Sequence, residues 1–510
     1  MNDILKCVPD PYIPWESQKE YLLWMQANYK DADVLVGVEP TASGKSILNV
    51  TTGKWLINQK DSAALITPRK FLMDQYIKDF GWLPALKGMS NYMCLDCSLD
   101  FGTCKARKTA VGALCEGCIY IQARKEAESA SMALFNFHSY FINKMYKKCA
   151  IIDEGHGAVD LLYSLFEKRL WKCEVGYPDS TEMTPSGISD IVAGVVAALD
   201  LRLAMLLKNK ADSAVVDKME EEVSSFKLLY EALDECGNDF LIKRKTDMYY
   251  GEATKSRGTE QEYIYVKTLK IDRLAERILW PKNNVHKLIF TSATIGKQDI
   301  ELLGLSDRKV VYHESKSNIP KDNRLFIIDP VGSMAYRNRQ VTLPKIVQKI
   351  RSIALMHKGQ KGVVHCTYDV AKQLKAALGE NGRYMYHDNN NKESVLRAFM
   401  ASKKDSILVA SGMAEGVDLK DDFARFQIIT MLQFPSLADD VMKWIAEHHP
   451  KRYKWMAIRN VVQQAGRICR HPTDYGITYF LDSELSKRFY YDNEELFPLF
   501  FKESIVWLGG

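Results

Sequence analysis

A loop of eight residues between a predicted strand and a predicted helix has the composition of a phosphate-binding loop. It runs from Glu39 to Ser46, after the apolar stretch 34–38 and before the apolar start of a helix at Ile47. Backbone N–H groups at such a helix start bind phosphate oxygens, while Lys45 would reach the β and γ phosphates and Ser46 would hold Mg²⁺. A turn that only caps a helix is the alternative, and the preceding strand argues against it. The residues predicted to bind ATP here are Thr41, Ala42, Ser43, Gly44, Lys45 and Ser46.

Two carboxylates, Asp153 and Glu154, follow the apolar run 150–152 and precede Gly155 and His156. Ligands of open α/β sheets bind at the carboxyl ends of the strands, so this position suits a nucleotide site. Asp153 could hold Mg²⁺ through water while Glu154 orients and deprotonates the attacking water, since one carboxylate cannot easily do both. The alternative is a helix start that uses acidic residues against its dipole.

Three polar residues near the C-terminus, Gln463, Arg467 and Arg470, are spaced four and three apart. In a helix this spacing places them on one face, from which two guanidinium groups could reach one site. Supplied across a domain interface, they would neutralise the charge that builds on the γ-phosphate and make hydrolysis depend on closure. A solvated basic stripe is the alternative for such a set taken alone.

Five of the eleven cysteines lie between residues 94 and 118. Clustered cysteines in a reducing compartment favour a bound metal over disulfides. Two C-x₂-C pairs at this separation indicate by spacing a tetrahedral four-thiolate zinc site, and buried cysteines without metal are the alternative. Five thiolates exceed by one what the site needs, so Cys104 could replace a member of either pair. The predicted ligands are Cys94, Cys97, Cys115 and Cys118.

The elements that must position these residues are short apolar runs, each followed by turn residues and a helical pattern. Runs that are apolar throughout suit parallel strands covered by helices on both faces, which predicts an α/β fold with two sheets. Between Gly155 and Val285 the pattern changes to a largely helical insertion, with amphipathic helices over 188–207 and 217–233 and a polar excursion over 249–264. The predicted strands are 34–38, 63–67, 150–153, 287–291, 362–366, 407–410, 426–432 and 477–481.

Composition supports a globular protein of several domains. The chain has 510 residues, 46% of them hydrophobic and 26% charged, which is typical of folded protein and excludes a disordered or fibrous one. The net charge of +5 is too balanced to indicate a polyanion partner. The N-terminus lacks the pattern of a secretory signal, and the stretch 188–207 contains charges, so we predict a cytoplasmic protein without a membrane segment.

In this order the motifs resemble those of superfamily 2 helicases, and in particular the XPD/DinG-like branch with its DEAH-like box. The box is Asp-Glu-Gly-His here, which keeps both carboxylates and His156. The family usually has glycine where this chain has Ala42, and an alanine there is compatible with the loop if its φ is negative. Further matches are Gln18 (the adenine-reading glutamine), Thr67 and Pro68 (segment Ia), Ser292 and Thr294 (the SAT motif), Gly416 and Asp418 (motif V), and the 463–470 segment (motif VI).

The resemblance implies two RecA-like parallel-sheet motor domains of the P-loop NTPase class. It implies a cysteine-rich domain with a 4Fe-4S cluster, zinc being the alternative, and a helical arch, both inserted in the first motor domain. The expected boundaries are 1–84, 126–160 and 285–319 for motor domain 1, 85–125 for the metal domain, 161–284 for the arch and 320–510 for motor domain 2.

The activity that the resemblance implies is ATP-dependent unwinding of DNA by a monomeric motor that moves 5′ to 3′ on a single strand. Single-stranded and forked DNA are the expected partners, and the SAT motif with segment Ia would couple the nucleotide to the strand. A translocase or RNA helicase without DNA unwinding is the alternative within the same class. A metal-stabilised nucleic-acid-binding protein with a degenerate motor is the alternative outside it, and the intact Lys45, Asp153, Glu154, Arg467 and Arg470 argue against it.

Overall fold

The structure, a computed structural model, describes most of the chain. It covers residues 3–68, 70–88, 91–94, 118–209, 211, 213–250, 258–379, 382–388, 390–402, 405–412 and 419–508. The predicted ligands Cys97, Cys104 and Cys115 and the predicted motif V residues Gly416 and Asp418 lie outside these ranges.

The first half of the chain builds a seven-stranded sheet in which every pairing is parallel. Three of its inner strands, Val34–Val38, Ala63–Thr67 and Cys149–Asp153, are buried along their whole length, which explains why they are largely apolar rather than alternating. The order is β10-β1-β9-β5-β2-β4-β3. The strands are β1 (Val34–Val38), β2 (Ala63–Thr67), β3 (Ala85–Leu86), β4 (Met132–Asn136), β5 (Cys149–Asp153), β9 (Lys287–Ser292) and β10 (Val310–Glu314).

The second half builds another seven-stranded parallel sheet, in the order β13-β14-β12-β15-β16-β11-β17. Together the two sheets confirm the predicted α/β class with two parallel-sheet domains. All eight predicted strands are present, and their ends agree with the structure to within three residues. The strands are β11 (Phe326–Gly332), β12 (Gly362–Cys366), β13 (Tyr384–Tyr386), β14 (Ile407–Ser411), β15 (Phe426–Ile429), β16 (Ile477–Asp482) and β17 (Ile505–Trp507).

The insertion between β5 and β9 contains two long helices, Pro185–Lys208 and Ser213–Cys236, as predicted. The prediction of a polar excursion over 249–264 was wrong. That segment contains the end of β7 (Phe240–Tyr249) and much of β8 (Thr259–Thr268), which pair antiparallel with each other and with β6 (Glu167–Trp171). The insertion is therefore part helix and part sheet.

The insertion also contacts the second half of the chain through charged side chains. Lys243 and Lys245 lie 2.7 and 2.6 Å from the carboxylate of Asp440, and Lys267 lies 3.3 Å from Asp439. Asp439 caps the helix Asp440–His448, so both acids stand at a helix start where negative charge is favoured.

The remaining α-helices cover the faces and edges of the sheets. None of the helices in the described ranges is both long enough and apolar enough to cross a membrane. They are Glu16–Asn28, Lys45–Asn58, Lys70–Asp79, Ile119–Ser129, Phe137–Ile142, Gly157–Leu165, Lys172–Val175, Asp272–Ile278, Lys297–Leu302, Arg339–Met356, Tyr368–Leu378, Lys392–Ala401, Asp440–His448, Pro450–Ala465, Lys487–Asp492 and Leu499–Lys502.

Candidate nucleotide site between the two parallel sheets

Strand register in the first sheet brings three of the predicted segments together. β9 lies between β1 and β5, with Val38 paired to Ser292 and Asp153 paired to Thr291. Three predicted segments therefore start from adjacent strand ends. They are the phosphate-binding loop, the acidic box (Asp153 to His156) and the 292–294 segment. This edge is where α/β sheets bind ligands.

The phosphate-binding loop follows β1 and leads into the helix Lys45–Asn58. Lys45 Nζ lies 3.5 Å from Glu154 Oε1 and 3.4 Å from the carbonyl oxygen of Pro40. The lysine is mostly buried and points toward the acidic box. Its ammonium group is thus placed between the loop and the carboxylates, where phosphate oxygens would compete for it.

Two residues of this loop have left-handed backbone conformations. Gly44 has a φ of 74° and Ala42 a φ of 64°. The condition stated for an alanine in the family's glycine position, a negative φ, is not met, so Ala42 is held in a conformation that disfavours its side chain. Such backbone strain is characteristic of ligand-binding loops.

Gly44 offers a direct test of the loop. A Cβ atom there would lie 2.5 Å from Gln18 Nε2, whereas one at Gly379, whose φ is 76°, would meet nothing within 4 Å. We expect Gly44→Ala to raise the KM for ATP by about tenfold or more, and Gly379→Ala to cost only the backbone strain of roughly 1 kcal/mol. ATPase kinetics and thermal melts of the two variants measure these effects, and equal KM values would contradict the predicted role of the loop.

Gln18 is buried and connects the N-terminal helix to the loop. Its amide donates a 2.8 Å hydrogen bond to the carbonyl oxygen of Ser43, and its oxygen accepts one from the Trp15 N–H at 2.9 Å. The adenine-reading role implied by the resemblance stays a prediction. In this structure the glutamine holds the phosphate-binding loop.

Glu39 is a buried acid at the start of the same loop. Its carboxylate accepts a 2.6 Å hydrogen bond from the Ser315 hydroxyl, and Lys45 is the nearby positive charge. Burial raises the pKa of Glu39 from 4.5 to about 7, against the opposing effects of Ser315 and Lys45. In the folded state the neutral acid is therefore favoured at pH values below about 7.

A pH dependence of stability follows from Glu39. Between pH 4.5 and 7 the folded state binds more protons than the unfolded state, so the free energy of unfolding falls as the pH rises through this range. We expect Glu39→Gln to remove this fall and to be more stable than the unsubstituted chain at pH 8, by roughly 1–3 kcal/mol. Urea unfolding of both proteins at pH 5 and pH 8 measures the difference. Identical pH profiles would show that Glu39 is ionised in both states.

Asp153 is fully enclosed at the end of β5. Its Oδ2 accepts a hydrogen bond from the Tyr76 hydroxyl at 3.1 Å, and that hydroxyl accepts one from Asn49 at 3.0 Å. Burial and the neighbouring charge of Glu154 raise the pKa of Asp153. A divalent cation beside it would reverse this preference and keep the carboxylate ionised.

Glu154 has a φ of 49°, another left-handed conformation. Its side chain faces Lys45 on one side and accepts a 3.0 Å hydrogen bond from the Ser292 hydroxyl on the other. Burial opposes ionisation, but the charge of Lys45 and the hydrogen bond from Ser292 outweigh it and lower the pKa of Glu154. Glu154 is therefore ionised and can accept a proton.

A chain of hydrogen bonds joins Glu154 to the second half of the molecule. Gln463 Nε2 lies 3.2 Å from His156 Nε2, and since an amide N–H only donates, the proton of the neutral imidazole is on Nδ1. His156 Nδ1 lies 2.9 Å from the Ser292 hydroxyl, which in turn donates to Glu154. Burial lowers the pKa of His156, consistent with the neutral ring. Thr294 contacts both His156 and Gln463, at 3.2 Å each.

The prediction that Gln463, Arg467 and Arg470 share one helical face was wrong. The helix Pro450–Ala465 includes Gln463 but ends before the two arginines. Gly466 ends it where the second half meets the phosphate-binding loop, since a Cβ atom there would lie 2.7 Å from Thr41. Arg467 still acts on the site, because its charge contributes to the lowered pKa of Glu154. The backbone N–H of Arg470 donates to Asp474 at 2.9 Å.

The segment Ia residues lie at the end of β2, next to the acidic box. Thr67 is fully buried, and Pro68 is close enough to Gly157 that a Cβ atom on that glycine would lie 3.0 Å from its ring. This places segment Ia against the helix Gly157–Leu165. A role in coupling to nucleic acid stays a prediction.

Cys94 and Cys118, the outermost of the predicted metal ligands, are both buried. They stand beside Tyr92 and Tyr120, whose ring centroids are 5.5 Å apart. The two ends of the cysteine segment therefore meet. A metal held by the thiolates of this segment, whether iron-sulfur or zinc, stays a prediction.

Another group with possible metal ligands, Asp421, His471 and Asp474, lies in the second half. Arg425 Nη1 already donates to Asp474 at 2.8 Å, and His471 pairs with Asp421 at 2.7 Å. These charges satisfy one another, which accounts for the cluster without a metal.

Sequence reasoning missed Tyr76 and Asn49, which support Asp153. Asn49 comes four residues after Lys45, one turn along the same helix face, which is a signal that could have found it. Its oxygen also accepts a 2.9 Å hydrogen bond from Thr291. Tyr76 had no such signal, because only the tertiary fold brings it to the strand end.

Comparisons with known proteins agree with this fold. Residues 350–495 match the family model of the helicase C-terminal domain. A solved structure titled XPD helicase is similar over 98% of this chain and 100% of its own, with a TM-score of 0.63 and 14% identity. An apo XPD structure (TM-score 0.58, 13% identity, 95% of this chain and 100% of that chain) and Xpd4 of S. tokodaii (0.56, 13%, 97% and 100%) are also similar. No curated protein matches the sequence.

Proposed function

We propose that this chain, with its helicase C-terminal domain and the two RecA-like domains of the XPD helicase fold, hydrolyses ATP to move along single-stranded DNA and unwind duplexes. The observation that carries the proposal is the continuous chain of hydrogen bonds from Gln463 through His156 and Ser292 to Glu154. It joins both halves of the molecule to the acid that would activate water.

The phosphates would bind the loop 41–46, with Lys45 leaving Glu154 for the β and γ oxygens. Asp153 and Ser46 would hold Mg²⁺, which fits a buried carboxylate that otherwise favours its neutral form. When bound, the metal supplies positive charge to the phosphates. Glu154 would accept the proton of the attacking water, and Arg467 and Arg470 would meet the charge on the γ-phosphate when the domains close.

The same chain of hydrogen bonds gives a reason for hydrolysis to depend on domain position. If the second domain moves away, Gln463 leaves His156, and the orientation of Ser292 toward Glu154 loses its support. ATP hydrolysis would therefore alternate with opening and closing of the cleft. Coupled to strand contacts at segment Ia and the SAT motif, this alternation would move the protein along a strand, 5′ to 3′ by the resemblance.

We expect the protein, purified without oxygen, to displace a strand from a 5′-tailed duplex and not from a 3′-tailed one. Preference for the 3′ tail would contradict the polarity. ATPase stimulation by RNA but not by DNA would support the RNA helicase alternative, and stimulation by DNA without strand displacement would support a translocase. Iron and sulfide analysis of the same sample tests the iron-sulfur cluster. Stoichiometric zinc in place of iron would support the zinc site instead.

A further inference from the structure

A second contact between the two halves lies at the other end of the motif VI helix, away from the phosphate-binding loop. The helix Pro450–Ala465 presents Arg452, Trp455, Arg459 and Gln463 to the first half. Spacings of three and four place these four residues on one helical face. The face runs from Gln463, at the nucleotide site, to Arg452 near the start of the helix.

At that start, Asp299 of the first half binds two side chains of the second. Arg452 donates to Asp299 Oδ1, and Trp455 Nε1 donates to Oδ2 at 2.8 Å. The Gly296 N–H donates to the same Oδ2 at 2.8 Å, so the carboxylate accepts three hydrogen bonds. Asp299 is 0% and Arg452 3% exposed. A buried pair with this many hydrogen bonds is costly to break one partner at a time.

Asp299 is also joined to the SAT segment by a short and crowded stretch of chain. Gly296 follows Thr294 by two residues, and a Cβ atom on it would lie 3.1 Å from the Trp455 ring. Trp455 therefore packs directly on the turn that links Thr294 to Asp299. Any shift of Arg452 and Trp455 would be passed to this turn.

The contacts of the same helix face nearer the nucleotide are longer than those at Asp299. Arg459 reaches the half-exposed Asp160 at 3.4 Å, and Gln463 makes 3.2 Å contacts with Thr294 and His156. The helix end at Ala465 lies 13 residues beyond Arg452, which corresponds to about 20 Å along the helix, and the two arginines follow it. A rotation about the Asp299 end would move the arginines far while changing the Asp299 contacts little.

We propose that Asp299 is a positioning residue for ATP hydrolysis. It holds the helix Pro450–Ala465 against the first domain through Arg452 and Trp455. The cleft opens and closes by rotation about this contact. The inference rests on the proposed ATPase function. It adds that the contact at Asp299 stays fixed. This contact then determines the positions that Gln463, Arg467 and Arg470 reach when the cleft closes.

Hydrogen exchange of the full chain, with and without ADP, beryllium fluoride and Mg²⁺, tests the pivot without requiring turnover. We expect peptides covering 297–302 and 450–456 to change their exchange rates less than about twofold, and peptides covering 463–470 to slow by about tenfold or more. Protection appearing at 297–302 on nucleotide binding would overturn the proposal, because the contact would then form only on closure. An unchanged rate at all three segments would also overturn it.

Kinetics of Asp299→Asn test the positioning role. We expect kcat to fall about tenfold or more with a KM for ATP within threefold, since binding is kept and only the approach of the second domain is disturbed. Arg452→Met should give the same result, and the double variant should be no worse than either single one. The control is Lys451→Met, because this exposed lysine pairs with Glu495 of its own half.

Failure of the proposed ATPase site and failure of the proposed pivot can be told apart. If Lys45→Ala retains full ATPase activity, the proposed catalytic site is wrong, and the exchange experiment still decides whether Asp299 is a pivot. If Lys45→Ala is inactive but Asp299→Asn has unchanged kcat and KM while remaining folded in thermal melts, the pivot is wrong and the ATPase site stands.

Discussion

Replacement of Lys45 by alanine is expected to lower the nucleic-acid-stimulated ATPase rate by about 10³-fold or more, because it removes the main positive charge that the phosphate-binding loop offers to the transferring phosphate. The lysine is also the nearest counter-charge to Glu154, at 3.5 Å. Its loss therefore disturbs both the proposed phosphate site and the proposed general base. Steady-state phosphate release, with and without single-stranded DNA, measures the effect.

The same helix provides a matched control. Lys54 lies nine residues after Lys45 and places its ammonium group over the ring of Trp82, at 5.4 Å from the centroid. Lys54→Ala removes an equal charge from the same helix without touching the loop, so its ATPase rate should remain near that of the unsubstituted chain. A Lys45→Ala protein that is folded and still stimulated by DNA would refute the catalytic assignment.

The second large effect is expected for Glu154→Gln. The amide keeps the size of the side chain and can still accept from Ser292, but it cannot take a proton from water, so kcat should fall by about 10²–10⁴-fold. ATP affinity should be largely kept, because the loop and Lys45 are intact. Single-turnover hydrolysis and equilibrium binding of a fluorescent ATP analogue separate the two quantities.

Asp153→Asn is the comparison that separates the two acids. Asp153 has been assigned to Mg²⁺, so its loss should weaken Mg²⁺-dependent nucleotide binding, whereas Glu154→Gln should weaken only the chemical step. If both variants lose binding to the same degree, the division of roles between the acids is wrong. If Glu154→Gln hydrolyses ATP normally, another group is the base.

The sheets could be predicted from the sequence because their strands are covered on both faces. A strand such as Val34–Val38 is buried at every position, so its apolar run is continuous and easy to recognise. The order of segments around the nucleotide site was also predictable, because each follows such a strand. The position of β9 between β1 and β5 is known only from the structure. This position brings Ser292 to Glu154.

Two features of the site could not be read from the chain alone. The motif VI helix ends at Ala465, where Gly466 lies against Thr41, a residue far away in sequence. Ala42 has a left-handed φ in a loop that Gln18 bonds at Ser43, a contact that the sequence does not show. The antiparallel pair β7 and β8 is different, because Phe240–Tyr249 has its apolar residues at the two ends and polar ones between, without the alternation that marks a strand.

The conformations of Ala42, Gly44 and Glu154 have a consequence for the thermodynamics of binding. All three residues hold positive φ values around the same site. The folded core supplies the free energy that keeps these disfavoured conformations, so a less stable core would also let the binding loop relax. Destabilising substitutions elsewhere in the first sheet should therefore reduce nucleotide affinity before they unfold the protein.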